Sequence, residues 1–140
     1  MKNIHIINGP NLNILGIREP EIYGTIKFED YFKELQKRFL QCRLNYYQSN
    51  HEGALIDRLQ QIGFHADGII LNAAGYTHTS IALGDAAAAV TAPIVEVHIT
   101  DIYNREPFRR HSYIQPHASH FIVGKGLDGY AQAIEWLLAR

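Results

Sequence analysis

Two short stretches of this chain pair side chains in ways that proton-transfer chemistry uses. His98 follows Glu96 by two residues at the end of the apolar run Ile94 to His98. Residues two apart on a strand point to the same face, so the carboxylate can orient the imidazole and hold its protonation state. That arrangement suits a general acid, and it also suits a buried structural pair. Arg18 and Tyr23 stand in Ile-Arg-Glu-Pro-Glu-Ile-Tyr-Gly, within a connection from Asn8 to Gly24. Connections of this kind usually take ~2–6 residues, and long ones are often lids. Folded over as a lid, the segment brings Arg18 beside the Tyr23 hydroxyl. A neighbouring guanidinium favours the ionised phenol, which can then abstract a proton next to a carbonyl. A solvated loop with an incidental Arg and Tyr would read the same way from spacing alone.

Other polar groups gather where apolar runs end. Asn8, Asn50 and Asn72 each close such a run, and buried amides need hydrogen-bond partners, so core packing alone accounts for them poorly. The segment Asn72 to Thr79 can hold an anion on its backbone amides, although with one Gly and no Lys it is no phosphate-binding loop. His78 stands at a helix start, as a ligand group or as a cap. Asp85, seven residues on, falls almost two turns later and so on nearly the same helical face; its plain alternative is an exposed charge. The charged run Arg105 to Ser112 follows His98 and can set one Arg over the site as a clamp. The 8 His are scattered and lack the three or four ligands in regular spacing that zinc requires, so no metal is expected.

The elements that must position these groups are legible. Five short apolar runs, roughly Asn3 to Asn8, Leu44 to Ser49, Gly68 to Asn72, Ile94 to His98 and His120 to Gly124, are bounded by Gly, Asn or Pro. Several are nearly continuous, as strands buried on both faces are. Between them, Phe28 to Gln41 and Glu52 to Ile62 carry apolar residues at a period near 3.6. Thr79 to Val90 ends before Pro93, and Asp128 to Arg140 starts after Leu127, a staple residue ahead of an Asp cap. Strand and helix alternate, which predicts a three-layer, doubly wound, five-stranded parallel α/β sheet of the flavodoxin type. Ligands of such sheets sit beyond the carboxyl ends of the strands, where the candidate groups lie.

Composition narrows the partners. With 140 residues the chain reads as a single domain over 1–140. Its 13 Lys+Arg against 14 Asp+Glu give a formal charge of -1, without the basic excess of a nucleic-acid binder. A small anion held by a few placed Arg or His side chains stays open. No run reaches the ~20 apolar residues of a membrane span, and the opening residues carry too short an apolar run for a signal peptide. A cytoplasmic protein without membrane contact is therefore expected. One Cys, Cys42, excludes an internal disulfide; in its apolar helical stretch it reads as a buried, inert thiol.

Taken jointly, the stretches INGPNLNILGIREPEIYG, QSNHEGALID, ILNAAGYTHTSIALGDA, PIVEVHITDIYNREPFRRHSYI and VGKGLDGYAQAI resemble the type II 3-dehydroquinate dehydratases, in order and spacing, over nearly the whole chain. The resemblance implies anti elimination of water from 3-dehydroquinate through an enolate, without cofactor or imine. It implies that Tyr23 removes the proton, that Arg18 makes it acidic, and that Asn11 helps stabilise the enolate through a water. His98, oriented by Glu96, would protonate the leaving hydroxyl. Asn72 with the Ile99 and Thr100 backbone would hold the substrate carboxylate, and His78, Asp85 and Arg109 the ring hydroxyls, Asp85 reaching a neighbouring subunit's site. A homododecamer built from trimers is also implied. Asp101-Ile-Tyr103-Asn104 departs from the family's usual stretch, and Asp101 beside the carboxylate pocket is expected to weaken anion binding slightly.

Overall fold

The computed structural model describes residues 1–140. Its single sheet holds five parallel strands: β1 (Lys2–Asn8), β2 (Cys42–Gln48), β3 (Gly68–Asn72), β4 (Ile94–His98) and β5 (His120–Val123). They lie in the order β2-β1-β3-β4-β5, the flavodoxin-like order. The longer helices are α2 (Phe28–Arg38), α3 (Glu52–Ile62), α4 (Ile81–Ala89) and α5 (Asp128–Leu138), preceded by one short turn of helix, α1 (Pro20–Tyr23).

Alternation along the strands divides the core in two. Ile4 and Ile6 of β1, Ile70 of β3, and Val95 and Val97 of β4 pack with Phe28 and Leu35 of α2 and with Tyr130, Ile134 and Leu137 of α5. Ile7, Ile69 and Leu71 face the other way, onto Leu55, Leu59 and Ile62 of α3 and Leu83 and Ala87 of α4. Strands β3 and β4 are buried along their whole length, which is why their sequences run apolar without alternation. Each wholly buried aliphatic side chain contributes about 1.5–3 kcal/mol.

Several boundaries differ from the sequence reading. Helix α2 stops at Arg38, because Phe39 leaves helical conformation at φ -112 and ψ 67. Cys42 therefore opens β2 instead of lying in a helix, although its thiol is buried. Helix α4 starts at Ile81, with the Ser80 hydroxyl accepting from the Leu83 N–H as its cap. His78 consequently belongs to a separate 3-10 turn, Ala74–His78, and the helical phase that put it on one face with Asp85 does not exist. Helix α5 is entered from Leu127 with no side-chain cap, and Asp128 sits in its first turn, where its charge complements the helix dipole. The long first connection contains a 3-10 turn at Leu12–Ile14 as well as α1.

The loops after β1 and β3 touch at Gly9, whose N–H donates to the Asn72 carbonyl at 2.7 Å. A Cβ on Gly9 would meet the Ala73 carbonyl oxygen at 2.5 Å and its carbon at 2.7 Å. Backbone cannot yield cheaply, so Gly9→Ala is expected to destabilise the fold by about 1–3 kcal/mol. A lowered urea midpoint together with reduced activity is the expected result, since the same loops carry Asn11 and Asn72.

Candidate active site

Winding proceeds from β1 to β2 in one direction and then to β3, β4 and β5 in the other, so a crevice opens beyond the carboxyl ends of β1 and β3. A cavity of about 150 Å³ occupies it. Each adjoining element delivers side chains to it. The loop after β1 supplies Asn11, Arg18 and Tyr23; β3 and its 3-10 turn supply Asn72 and His78; β4 and the loop after it supply His98, Ile99, Thr100, Arg105 and Arg109. Of the residues given a catalytic or binding role from the resemblance, Glu96 and Asp85 do not line this cavity, and neither do the strand-end Asn8 and Asn50. Glu96 is buried behind His98, whereas Asp85 is exposed on α4 and borders a surface depression with His111 and Tyr113.

The pair on β4 has the geometry its spacing predicts. His98 Nε2 lies 2.6 Å from Glu96 Oε2, with both residues almost inaccessible to solvent. Nε2 is thereby committed, and proton exchange with a ligand falls to Nδ1. His78 stacks near His98, with ring centroids 6.3 Å apart. Its Nδ1 is 2.7 Å from the His111 carbonyl; a carbonyl only accepts, so Nδ1 carries the hydrogen and Nε2 is left as an acceptor. Burial, more than any neighbouring charge, holds the His78 imidazole below its ordinary range and therefore neutral at pH 7.

Tyr23 is arranged differently from the sequence expectation. Its hydroxyl accepts a 2.8 Å hydrogen bond from the Arg105 guanidinium, while Arg18 lies over the ring, its guanidinium carbon 4.8 Å from the centroid. The partner at the phenol oxygen is thus Arg105, from the loop after β4, and Arg18 makes a cation–π contact. The charged run had suggested one Arg over the crevice, but nothing in spacing distinguishes Arg105 from Arg109. Arg109 also reaches the cavity, with its Nε 2.5 Å from Glu106 Oε2. That bond holds the Glu106 carboxyl below the usual carboxylate range. Three guanidiniums line the cavity and no lysine or carboxylate does, so it suits a small anion.

The remaining groups are held by the scaffold. Asn11 adopts a left-handed conformation, φ 70, and its N–H donates to Asn50 Oδ1 at 3.0 Å. Asn8 and Asn72 lie side by side in register and share one partner that sequence reasoning missed. The buried Tyr130 hydroxyl donates to Asn8 Oδ1 at 2.8 Å and accepts from Asn72 Nδ2 at 2.9 Å. Burial pushes the Tyr130 hydroxyl well above the ordinary phenol range, which keeps it a neutral donor. Asn72 Oδ1 accepts from the Ala74 N–H, fixing the amide so that its second N–H remains for the cavity. The need of two adjacent strand-end amides for a partner was a usable signal, and a Tyr on the apolar face of α5 was the candidate. Asp101, expected to disturb the carboxylate pocket, does not line the cavity. Its oxygens accept from the Tyr103 N–H at 3.0 Å and Asn104 Nδ2 at 2.9 Å, closing the turn Ile102–Asn104.

Fold and cavity together define a class: an α/β enzyme of flavodoxin-like architecture with a cationic strand-end site. The family model described as dehydroquinase class II matches residues 2–138. A 3-dehydroquinate dehydratase of Roseiflexus castenholzii is 53% identical over 137 residues, covering 96% of this chain and 87% of the relative. A catabolic 3-dehydroquinase of Aspergillus oryzae is 46% identical over 136 residues, covering 96% and 89%. The crystal structure of a type II dehydroquinase from Butyrivibrio crossotus superposes with a TM-score of 0.94 at 44% identity, covering 98% of this chain and 97% of that one. The chain belongs to the class II dehydroquinase family.

Proposed function

We propose that this chain, as one catalytic domain over residues 1–140, eliminates water from 3-dehydroquinate to give 3-dehydroshikimate in an anti sense through an enolate. The observation that carries the reading is the Tyr23 hydroxyl bonded to Arg105 at 2.8 Å in the same cavity as the His98–Glu96 pair. Relatives named for this dehydration and others named as catabolic dehydroquinases match at similar identity, and the chemistry proposed is common to both.

In this reading Tyr23 takes the proton from the carbon between the ketone and the departing hydroxyl. Donation from a guanidinium is strongest to an ionised oxygen, so Arg105 supports Tyr23 as a base. Arg18, over the ring, adds positive charge and closes the lid. Charge then moves onto the ketone oxygen, where a water held by Asn11 stabilises it; preorganised donors of this kind usually supply the largest share of catalysis. His98, entering the step as the imidazolium with its Nε2–H held on Glu96, gives its Nδ1 proton to the leaving hydroxyl, which departs as water. The substrate carboxylate falls to Asn72 and the backbone of Ile99 and Thr100, and the ring hydroxyls to His78 and Arg109. Asp85, exposed and away from its own cavity, is assigned to the site of a neighbouring subunit in a homododecamer, a tetramer of trimers. We assign the enzyme to the cytoplasm; no helix is long and apolar enough to cross a membrane.

Incubation with 3-dehydroquinate tests the reading. A conjugated enone absorbing in the near ultraviolet should accumulate, and the rate should be unchanged by EDTA or by borohydride added with substrate. Inhibition by EDTA would indicate a metal, and inactivation by borohydride an imine; either would end the side-chain-only mechanism.

A further inference from the structure

Ser112 lies outside the cavity, between the charged loop after β4 and the turn Gln115–His117. It is buried, 6% exposed, and its hydroxyl is fully committed. Its oxygen accepts from the Ile114 N–H at 3.1 Å and from the Gln115 N–H at 3.0 Å. A serine hydroxyl has two acceptor positions and one hydrogen. With both acceptor positions filled by backbone, the hydrogen has one place to go, and Glu96 Oε2 receives it at 2.7 Å. Oε2 is the oxygen that also holds His98, whereas Glu96 Oε1 has no protein partner. The position of this buried carboxylate therefore depends on its contacts at one oxygen.

We propose that Ser112 is a positioning residue for proton donation: its backbone-locked hydroxyl fixes the carboxylate of Glu96, which in turn fixes the tautomer and orientation of the His98 imidazole. This rests on the dehydratase reading for its kinetic consequence, but the chain Ser112–Glu96–His98 is defined by hydrogen-bond geometry. The same serine anchors the turn that follows the charged loop, so the loop carrying Arg105 and Arg109 is pinned at its far end to the pair that holds the imidazole.

A role limited to closing the turn makes different predictions. Acting through Glu96, Ser112→Ala should lower kcat on the order of tenfold, as expected for loss of a hydrogen bond to a charged group, with KM changed less than about twofold. Ser112→Thr, which keeps the hydroxyl, should recover most of that loss. In a Glu96→Gln background the same Ser112→Ala change should alter kcat by less than about twofold, because residues acting in one chain are not additive. Should Ser112→Ala fail to fold, Ser112→Cys serves instead, since a thiol is a weak donor of similar shape. Nitrogen-15 spectra of histidine-labelled protein supply a readout independent of turnover. The wild type should show the Nε2 of His98 bearing a hydrogen whether or not Nδ1 is protonated, and the Ala or Cys variant a mixture in which Nε2 has partly lost it. Equal kcat losses with and without Glu96, or an unchanged His98 signal, would overturn the proposal. Absence of wild-type turnover would instead defeat the dehydratase reading and leave the nitrogen spectra to decide the role of Ser112.

Discussion

Tyr23→Phe should lower kcat by about 10²–10⁴-fold, the range a positioned general base supplies, while binding of 3-dehydroquinate persists. The substitution is narrow in what it removes. Phe keeps the ring on which Arg18 rests at 4.8 Å and keeps the apolar packing of Tyr23 against the core. Arg105 loses its 2.8 Å acceptor but retains the Glu106 carboxylate, 3.9 Å away. Isothermal titration of the variant should give a dissociation constant within a few-fold of the wild-type KM, and the enone assay the loss in kcat. A variant that turns over at a third of the wild-type rate or better would mean that another group removes the proton.

His98→Gln should cost a similar factor, about 10²–10⁴-fold in kcat, but through the other half of the reaction. Gln is chosen because its amide N–H can replace Nε2 as a donor to Glu96. Truncation to Ala would strip the buried Glu96 carboxylate of its imidazole partner and leave it only the Ser112 hydroxyl, costing stability and confusing folding with catalysis. Hydroxide is a poor leaving group, so in the proposed mechanism loss of the acid should stall elimination after the enolate has formed. With Tyr23 intact, the proton beside the ketone should still be removed and returned. In D₂O, His98→Gln should therefore exchange that proton for deuterium faster than it forms product, as followed by proton NMR, whereas Tyr23→Phe should do neither. Loss of both exchange and dehydration in a folded His98→Gln protein would refute the division of labour between the two residues.

The legibility of this site varied with the distance over which residues cooperate. The Glu96–His98 pair was readable because the strand period alone puts both on one face, and the sheet only had to exist. Asn8 and Asn72 stood out in the sequence because buried amides at strand ends require partners, and of the two Asn72 lines the cavity. Their partner, Tyr130, comes from α5 at the other end of the chain, and no local pattern connects it to them. Arg18 and Arg105 show the same limit: Arg18 precedes Tyr23 by five positions, yet its guanidinium lies over the ring, and an arginine 82 residues away takes the hydroxyl. The expected helical relation between His78 and Asp85 failed because Ser80 starts α4 afresh, so counting turns across Thr79 and Ser80 had no meaning.

Local sequence by itself determined the five strands, the four long helices and the side of the sheet on which chemistry would gather, because hydrophobic period and strand-end polarity are properties of neighbouring residues. Only the tertiary structure decided which guanidinium meets the phenol, which hydroxyl holds the two asparagines, and which serine steadies Glu96. Those contacts join segments through the order β2-β1-β3-β4-β5, and a hydrogen bond requires an approach of about 3 Å that spacing along a chain does not specify.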